Sequence, residues 1–486
     1  MNTQTEIFRR LVRDHLGPAP VRLGPDDTVR TLIDRLAAEK ASCAVVVDGD
    51  DRPAGIVTEQ DVARRIACRV EPEATVASVM TAPVVTVARR DPLYRAVAFM
   101  RRWRLRHIPV VDGAGRVCGM LALHAALAVL SEQTLELIDD LTHEESVEGL
   151  KKVKQAQVEV AEALFDDNVP VPEVQALLTD INRDIHARIV RRALAGMEAE
   201  GLGAPPVPFS LIIMGSGGRG ENFLFPDQDN GFVLDDYDDA EHGRIDPFFI
   251  ELAERMTQAL DKVGFPLCRG NIMATNPVWR KTLGQWSDQI AYWMRRRTDT
   301  TLRYCDIFFD FGHGFGAGRL SARLRESVTA LAAANPGFVK DMYAVEAGHK
   351  VALSWFGRLM SERDTRDREG MINLKYGGTL PLVEGVRLLA LRHGVPETST
   401  LARIDALAGK GVLDKDAQDY LTGGLQHITR LLLRQQIADF RAGEPVGNFV
   451  AEASLSSREK DYLVACFRAI EDLRGRLRSE FAGDVF

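Results

Sequence analysis

Two stretches near the start of the chain repeat one another. Residues 26–62 align with residues 90–126 at a constant offset of 64 without a gap, so that Gly55 matches Gly119. The pattern of each copy predicts helix, strand, turn, strand and helix, with helices at 28–39 and 92–103 and short strands at 44–47 and 108–111. A unit of this size cannot bury its apolar faces alone, so the two copies should pack together.

A glycine-rich segment in the middle of the chain carries the strongest chemical signal. Residues 215–221 are Gly-Ser-Gly-Gly-Arg-Gly-Glu, and Asp227 and Asp229 follow. Apolar runs on both sides predict a strand, a glycine turn and a second strand that opens with the two carboxylates. Alternate strand residues face the same way, so the two aspartates can share one face. They can hold Mg²⁺, and the backbone N–H groups of the turn can hold a phosphate.

The same glycines also match G-x-G-x-x-G, the dinucleotide fingerprint, with Asp235 about 20 residues further on. That motif needs a helix directly after its third glycine. Only six residues separate Gly220 from Asp227, and one of them is Pro226. No crossover helix fits there, and a P-loop is excluded because no Gly-Lys-Ser/Thr follows.

The segment 215–221 with Asp227-Gln228-Asp229 resembles the signature of the nucleotidyltransferase superfamily. More narrowly, it is similar to nucleotidyltransferases attached to CBS (cystathionine-β-synthase-type) domains, which are relatives of PII-uridylyltransferases and glutamine-synthetase adenylyltransferases. The resemblance covers nearly the whole chain. It implies that Gly215 and Ser216 contact the phosphates and that Asp227 and Asp229 hold Mg²⁺. It also implies that Arg219 counters the triphosphate charge and that Glu221 orients this arginine.

Two-metal nucleotidyltransferases usually add a third carboxylate from a neighbouring strand. The apolar run 305–311 predicts a strand on which Asp306 and Asp310 face the same way. Asp310 is the stronger catalytic candidate, because its segment is similar to the family's F-F-D-x-R. Gly312 stands where the family has the arginine, so the third ligand is Asp306, Asp310 or neither.

Two further segments resemble the family. Residues 267–277 contain Asn271 and Asn276, which are either polar contacts in the cleft or turn residues before a helix around 279–293. Residues 372–378 are similar to the N/D-h-K-x-G-G segment of adenylyltransferase-related substrate domains, where h is apolar. Lys375 is therefore expected to meet nucleotide phosphate, the alternative being a solvent-exposed lysine at a glycine-broken helix start.

The repeats resemble a tandem pair of CBS motifs, which bind adenosine nucleotides in clefts between the copies. The first copy has the family's ligand signature Gly-h-h-Thr/Ser-x-x-Asp, with Thr58 and Asp61 at the ligand positions. The second copy has Ala122 and Ala125 there, and an alanine methyl makes no hydrogen bond to ribose. We expect one adenosine nucleotide site at most; the alternative is a structural or dimerising pair without ligand.

Composition limits the remaining possibilities. The net charge is −8 over 486 residues, which gives no basic excess for a nucleic-acid partner. No run of about 18 apolar residues occurs, and the start of the chain lacks an apolar signal core. The six cysteines form no CxxC pair and are typical of free thiols in a reducing compartment. We therefore expect a cytoplasmic protein without a nucleic-acid or membrane partner. We also expect a homodimer.

The predicted fold combines α/β and α regions in four parts. They are a CBS pair (1–130), a helical connector (131–205), a nucleotidyltransferase core with a mixed sheet (206–334) and a helical substrate-binding domain (335–486). Predicted helices outside the repeats lie at 132–140, 147–165, 171–196, 339–359, 380–391, 417–442 and 457–480. The predicted activity is Mg²⁺-dependent transfer of a nucleoside monophosphate to an acceptor such as a PII-like regulatory protein, regulated by adenosine nucleotide at the CBS pair. The alternative is a catalytically inactive, nucleotide-sensing signal-transduction protein.

Overall fold

The computed structural model describes residues 10–17, 20–66, 69–103, 105–123, 126, 146–166, 169–354, 356–361 and 368–482. The chain divides into two compact units, residues 1–144 and 145–486. The predicted helix at 132–140 and the position of Ala125 lie outside the described residues. No described helix is both long enough and apolar enough to cross a membrane.

The first unit consists of two copies of one three-stranded motif. The first copy contains β1 (Val21–Leu23), α1 (Val29–Ala38), β2 (Cys43–Val47) and β3 (Pro53–Thr58). The second contains β4 (Val87–Ala88), α2 (Leu93–Arg102), β5 (His107–Val111) and β6 (Val117–Ala122). In each sheet the first strand is parallel to the second, and the second is antiparallel to the third.

Strand register confirms the repeat. Val45 pairs with Ile56 in the first copy, and Pro109 pairs with Met120 in the second, which is the same pairing at the offset of 64. Each copy has an apolar cluster of its own. A third buried cluster joins the copies, with Cys43 and Val45 from one and Val117 and Met120 from the other. The expected packing of the two copies is therefore present.

The second unit begins with two long helices and a four-stranded sheet. The helices are α3 (Val147–Asp166) and α4 (Val171–Ala199). The strands are β7 (Phe209–Ile213), β8 (Asn230–Leu234), β9 (Arg280–Thr282) and β10 (Gly312–Gly316). Their order is β10-β7-β8-β9; β7 is antiparallel to both neighbours, and β9 is parallel to β8. This is the mixed sheet expected for the nucleotidyltransferase core.

Helices cover this sheet and continue to the end of the described chain. Those between the strands and after the sheet are α5 (Gly215–Arg219), α6 (His242–Val263), α7 (Leu283–Arg296), α8 (Asp299–Phe308), α9 (Gly318–Ala334) and α10 (Pro336–Glu346). The remaining elements are β11 (Met371–Asn373), α11 (Leu380–Arg392), α12 (Thr400–Gly409), α13 (Lys415–Ala442), β12 (Phe449–Ala451) and α14 (Ser457–Ala482). One apolar cluster runs from β7 and β8 through α7 and α8 to α14.

Three local predictions were wrong. The glycine segment is not an open turn: residues 215–219 form the single helical turn α5. The run 305–311 is not a strand, because α8 extends to Phe308 and β10 begins only at Gly312. The predicted helix 339–359 ends at Glu346 as α10, and the chain then forms a short hairpin in which Leu353 faces Leu359.

Candidate functional site

Helical turn α5 packs against the aspartate segment that leads into β8. The Met214 N–H donates to the Asp229 carbonyl oxygen at 2.8 Å. Gly215 has a φ of +60°, and a Cβ on it would lie 3.1 Å from Asp229 Oδ2. Glycine adopts this backbone conformation without strain, whereas a larger residue would crowd the carboxylate. The first residue of the motif thus leaves room for the Asp229 carboxylate at the start of α5.

The other side of α5 contacts the backbone between α8 and β10. A Cβ on Gly218 would lie 1.9 Å from the Asp310 carbonyl oxygen, and a Cβ on Gly312 would lie 3.0 Å from the Gly218 carbonyl oxygen. Only two glycines permit this approach. Gly312, which replaces the arginine of the family pattern, is therefore explained by packing in this chain, and the contact brings Asp310 beside α5.

Asp227 and Asp229 precede β8, and their neighbours point the opposite way. Gln228 is fully buried and its Nε2 donates to the Phe265 carbonyl oxygen at 2.9 Å. Asn230 is also fully buried, with its Oδ1 accepting from the Ala274 N–H at 3.0 Å. Asp227 is exposed and Asp229 is partly buried. The side-chain alternation expected from the sequence is thus present, although the strand starts at Asn230.

The surroundings of Asp229 perturb its carboxyl group strongly. Burial, together with the nearby charge of Asp227, raises the pKa of Asp229 from 3.8 to about 6. A hydrogen bond from the Cys268 thiol and the charges of Lys375 and Arg219 act in the opposite direction. Asp229 Oδ1 is buried and has no hydrogen-bond partner among the described residues. These two aspartates, Lys375 and Arg219 therefore lie within electrostatic reach of one another.

This arrangement fits a hard divalent cation. Mg²⁺ prefers oxygen ligands and is often held by one or two carboxylates together with substrate phosphates. The unpartnered Asp229 Oδ1 and the exposed Asp227 carboxylate could supply the protein ligands. Within the described part of the chain, no three His, Cys, Asp or Glu side chains are grouped to hold a metal ion.

Arg219 is held in place by two carboxylates. Its Nε donates to Glu221 Oε2 at 2.7 Å and its Nη1 to Asp310 Oδ2 at 2.8 Å. Although burial opposes it, these carboxylates hold the pKa of Arg219 above its usual range. Glu221 Oε1 accepts from the Thr400 N–H at 2.6 Å, at the start of α12. Glu221 therefore orients Arg219, as the resemblance implies, and also ties α5 to the carboxy-terminal helices.

Asp310 is the centre of a buried ionic cluster. It is fully buried, and besides Arg219 it accepts from Arg387 Nη1 at 2.7 Å and from Arg403 Nη1 at 2.6 Å. Both of its oxygens are thus engaged by arginines. Asp306 also pairs with Arg387. The expectation that Asp306 or Asp310 completes a metal group with Asp227 and Asp229 is not met, because arginines neutralise these carboxylates instead.

Sequence reasoning missed the arginines of this cluster. Arg387 and Arg403 are each 2% exposed, and Arg387 also contacts Glu346 Oε1 at 3.3 Å. Burial lowers the pKa of Arg325 to about 9, and its guanidinium donates to the carbonyl oxygens of Phe309 and Phe311. No motif marks these positions; the only signal is that Arg387 interrupts the apolar stretch of α11.

Lys375 and Ser216 both lie on short helical turns. Lys375 is exposed at the start of a turn that continues into α11, while Gly377 and Gly378 pack against Ala352 and Ile428. These glycines serve packing within the protein. Ser216 Oγ donates to Asn222 Oδ1 at 3.2 Å. The lysine thus remains free of an ion pair among the described residues, facing the charge of Asp229.

Asn271 and Asn276 are turn residues, which was the second of the two sequence alternatives. Asn271 adopts a positive φ of 55° and is exposed. Asn276 caps the short helical turn Pro277–Trp279, with its Oδ1 accepting from the Val278 N–H at 3.0 Å. The same segment carries Cys268, whose thiol lowers the pKa of Asp229 and was not identified from the sequence. The segment therefore supports the aspartates through Cys268.

In the first unit, Thr58 and Asp61 form a capping box at the end of β3. Asp61 Oδ2 accepts from the Thr58 N–H at 2.9 Å and from its hydroxyl at 2.8 Å. Asp61 Oδ1 accepts from Arg65 Nε at 3.0 Å and Nη2 at 2.7 Å. In the second copy, Ala122 ends β6 opposite His107. The two copies thus differ in hydrogen-bonding capacity at the ligand position.

Three families match the chain. The family described as "CBS domain" matches residues 12–68 and 76–132. "Putative nucleotidyltransferase DUF294" matches residues 155–300, and "Putative nucleotidyltransferase substrate binding domain" matches residues 336–481. The chain combines CBS domains with the DUF294 putative nucleotidyltransferase domain and its substrate-binding domain. These matches confirm the family resemblance and the fold class that were predicted from the sequence.

Curated relatives match only part of the chain. Inosine-5'-monophosphate dehydrogenase of Mycobacterium bovis is 33% identical over 105 residues, 21% of this chain and 19% of the relative. A CBS domain-containing protein of Arabidopsis thaliana is 31% identical over 114 residues, 22% of this chain and 21% of the relative. The chain thus spans about a fifth of the length of these relatives.

Solved structures of CBS proteins are also similar. The CBS domain protein from Pyrobaculum aerophilum complexed with AMP is 28% identical and covers 26% of this chain and 98% of its own, with a TM-score of 0.24. A CBS-domain containing protein from Agrobacterium tumefaciens is 29% identical and covers 24% and 98%, with a TM-score of 0.22.

Proposed function

We propose that this DUF294 protein is a Mg²⁺-dependent nucleotidyltransferase that moves a nucleoside monophosphate from a nucleoside triphosphate to an acceptor. The observation that carries the proposal is the state of Asp229, a partly buried carboxylate with an unpartnered oxygen beside Asp227, Lys375 and Arg219. A buried carboxylate oxygen without a partner destabilises the folded protein unless a cation binds it or a proton neutralises it. The two basic residues add the charge that a triphosphate requires.

In the proposed reaction an acceptor oxygen attacks the α-phosphorus, the bond to the β-phosphate bridging oxygen breaks, and pyrophosphate leaves. Bound Mg²⁺ would neutralise the charge of the phosphates and help to activate the acceptor. Arg219 is fixed by Glu221 and Asp310, so it meets the developing charge without reorganising. Lys375 is exposed and adds a second positive charge. The protein thus contributes mainly position and charge.

The test is nucleotide turnover by the full chain. Purified protein is incubated with Mg²⁺, each of the four labelled nucleoside triphosphates and candidate acceptors, beginning with PII-like regulatory proteins, and label transfer and pyrophosphate release are followed. We expect turnover that stops with EDTA and in Asp229→Asn. The matched control is Asp235→Asn, an aspartate after β8 that pairs with Arg319. Turnover that is unchanged in Asp229→Asn would refute the assignment.

A second candidate is a nucleotide-sensing protein that binds triphosphate without transferring it. The observation in its favour is that Asp310, the best candidate for a third carboxylate, is neutralised by three arginines. This candidate predicts Mg²⁺-dependent nucleotide binding by calorimetry with no label transfer to any acceptor.

We further propose that the CBS pair binds one adenosine nucleotide per chain at Thr58 and Asp61 and regulates the transferase, and that the protein works as a cytoplasmic homodimer. Only the first copy supplies a hydroxyl and a carboxylate at the ligand positions. A nucleotide that binds one conformation of the pair better than another would shift the population of active protein. Turnover measured with and without AMP, ADP and ATP analogues tests this regulation.

A further inference from the structure

A cavity of about 280 Å³ lies beside Arg219 and Glu221. The start of α4, the residues that follow α5, the start of α12 and the first half of α13 line it. Its apolar walls come from Pro172, Leu401 and Leu425. Cavities that bind whole small ligands usually have about 300–1,000 Å³, so this one suits a single ring system.

The charged groups at the cavity are already paired. Glu221 uses Oε2 for Arg219 and Oε1 for the Thr400 N–H. Arg219 is also neutralised by Asp310. The cavity therefore favours an uncharged ring over a charged acceptor group, because the ring would enter it at the lowest desolvation cost.

Two amide side chains line the cavity and retain hydrogen-bonding capacity. Gln175 donates through Nε2 to the Glu221 carbonyl oxygen, which leaves its side-chain oxygen without a partner among the described residues. Gln426 also lines the cavity, and its side chain makes no hydrogen bond among the described residues. An amide offers one donor and one acceptor, and it pairs with a base edge that presents the complementary pair, as adenine does with N6 and N7.

Arg219 connects this cavity to the aspartates. Gly215 and Arg219 are the two ends of the five-residue turn α5, and a Cβ on Gly215 would lie 3.1 Å from Asp229 Oδ2, so the arginine lies one helical turn from the proposed metal ligand. A nucleotide with its phosphates between Asp229, Lys375 and Arg219 would have its base displaced from that point by one ribose. The cavity begins at the same arginine.

We infer that this cavity is the nucleobase subsite, with Leu401 and Leu425 against the faces of the ring and the amides of Gln426 and Gln175 at its edge. The inference rests on the proposed function and deepens it, because it names the part of the substrate that the cavity takes. Base preference is then set by Gln426 and not by the aspartate site. In this arrangement the triphosphate reaches the cavity only at Arg219, and not at Gln426 or Leu401.

The experiment compares nucleotides with a probe that has no base. The full chain is titrated calorimetrically, in the presence of Mg²⁺, with ATP, UTP, GTP, CTP and inorganic tripolyphosphate. The variants are Gln426→Leu and Leu401→Trp, whose indole fills the cavity. The control is Gln435→Leu, the same change on α13 at a residue that bonds Asp439 and does not line the cavity.

We expect Gln426→Leu to lower the affinity for the preferred nucleotide by roughly 5- to 150-fold, as for a lost amide–base pair. The affinities for the four nucleotides should then become similar. Leu401→Trp should weaken all four by at least about tenfold. Tripolyphosphate should bind every variant as it binds the wild type. If Leu401→Trp does not fold, Gln426→Leu alone carries the test.

Nucleotide affinities that both variants leave unchanged would overturn the inference, as would an equal loss for tripolyphosphate. Either result leaves the proposed function standing as long as Asp229→Asn abolishes turnover. A folded wild-type chain that binds none of the four nucleotides would overturn the proposed function and the inference together.

Discussion

Glu221 Oε1 lies 2.6 Å from the backbone nitrogen of Thr400, although 179 positions separate the two residues in the chain. The N-cap residue of α12 is Ser399, and its own side chain makes no capping hydrogen bond. The carboxylate after α5 therefore caps a helix of the carboxy-terminal domain while it orients Arg219. A helix N-terminus favours such a negative charge.

We predict that Glu221→Gln lowers the free energy of unfolding by about 1–3 kcal/mol, because the charged hydrogen bond to Arg219 is lost while an oxygen remains for Thr400. Glu221→Ala should cost roughly 1 kcal/mol more, since the cap is also lost. Urea unfolding followed by circular dichroism measures both. Ser399→Ala is the control and should change stability by less than about 0.5 kcal/mol. An equal loss in Ser399→Ala would contradict the capping role of Glu221.

We predict that replacing Asp310 lowers the free energy of unfolding, because its carboxylate holds the buried arginine cluster together. Asp310→Asn leaves Arg219, Arg387 and Arg403 without their shared carboxylate, and removing one partner of a buried ion pair costs about 3–5 kcal/mol. We therefore expect a large fall in the urea midpoint. Asp306→Asn is the comparison: Asp306 pairs with Arg387 but is 27% exposed, so its loss should cost less. A fully stable Asp310→Asn that loses only Mg²⁺-dependent turnover would instead favour a metal-ligand role.

A comparison of Asp229 with Asp310 shows which parts of the site could be predicted from the sequence and which could not. Gly215 to Asp229 is a local motif, and its residues meet because the chain turns once between two strands. The CBS repeat was equally visible, since its strand periodicity and turn recur at a fixed offset. Asp310 depends on Arg387 and Arg403, which lie 77 and 93 positions away. No local pattern encodes those contacts.

The run 305–311 shows a second limit. A short apolar run fits a buried strand and a buried helix equally well, and periodicity alone does not separate them. Cys305 and Phe308 are fully buried within the helix α8, and Phe309 is fully buried just after it. The N-cap Thr298, with its capping box to Thr301, was the available signal for a helix. The end of α10 at Glu346 was missed for a related reason, because apolar residues after Glu346 continue an apparently helical spacing in the sequence.

Asp229→Asn should stabilise the metal-free protein at neutral pH. The folded pKa of Asp229 is raised to about 6 from 3.8, so folding favours the protonated carboxyl. Its contribution to stability is therefore complete below about pH 4 and is lost as the pH rises through 6. An asparagine does not ionise and so has no such loss. We expect the free energy of unfolding of Asp229→Asn to exceed that of the wild type by about 1–3 kcal/mol at pH 7.5 and by little at pH 4.5. Urea midpoints at the two pH values, in EDTA, measure it.

Asp227→Asn serves as the control for this pH dependence. Asp227 is exposed and its charge is a smaller cause of the raised pKa of Asp229 than burial, so its replacement should stabilise the protein at pH 7.5 less than Asp229→Asn does. Both variants should lose Mg²⁺-dependent turnover. If Asp229→Asn were less stable than the wild type at pH 7.5, its oxygens would have partners that the metal-free protein needs.

Arg65 should restrain ligand binding at the first CBS copy. A carboxylate has about four acceptor positions, and Asp61 uses them for two donors of Thr58 and two of Arg65. A ribose must therefore displace a donor, and the Arg65 side chain is half exposed, with further hydrogen bonds to the Val79 carbonyl oxygen and Thr81 Oγ1. We predict that Arg65→Ala binds adenosine about 2- to 5-fold more tightly, the equivalent of one exposed ion pair, while Asp61→Ala loses binding. Calorimetry on the full chain measures both, with Arg30→Ala, an exposed arginine paired with Glu73, as the control. Adenosine affinity that falls in Arg65→Ala would mean that this arginine contacts the ligand, and two equivalent sites per chain would contradict the difference between Asp61 and the alanines of the second copy.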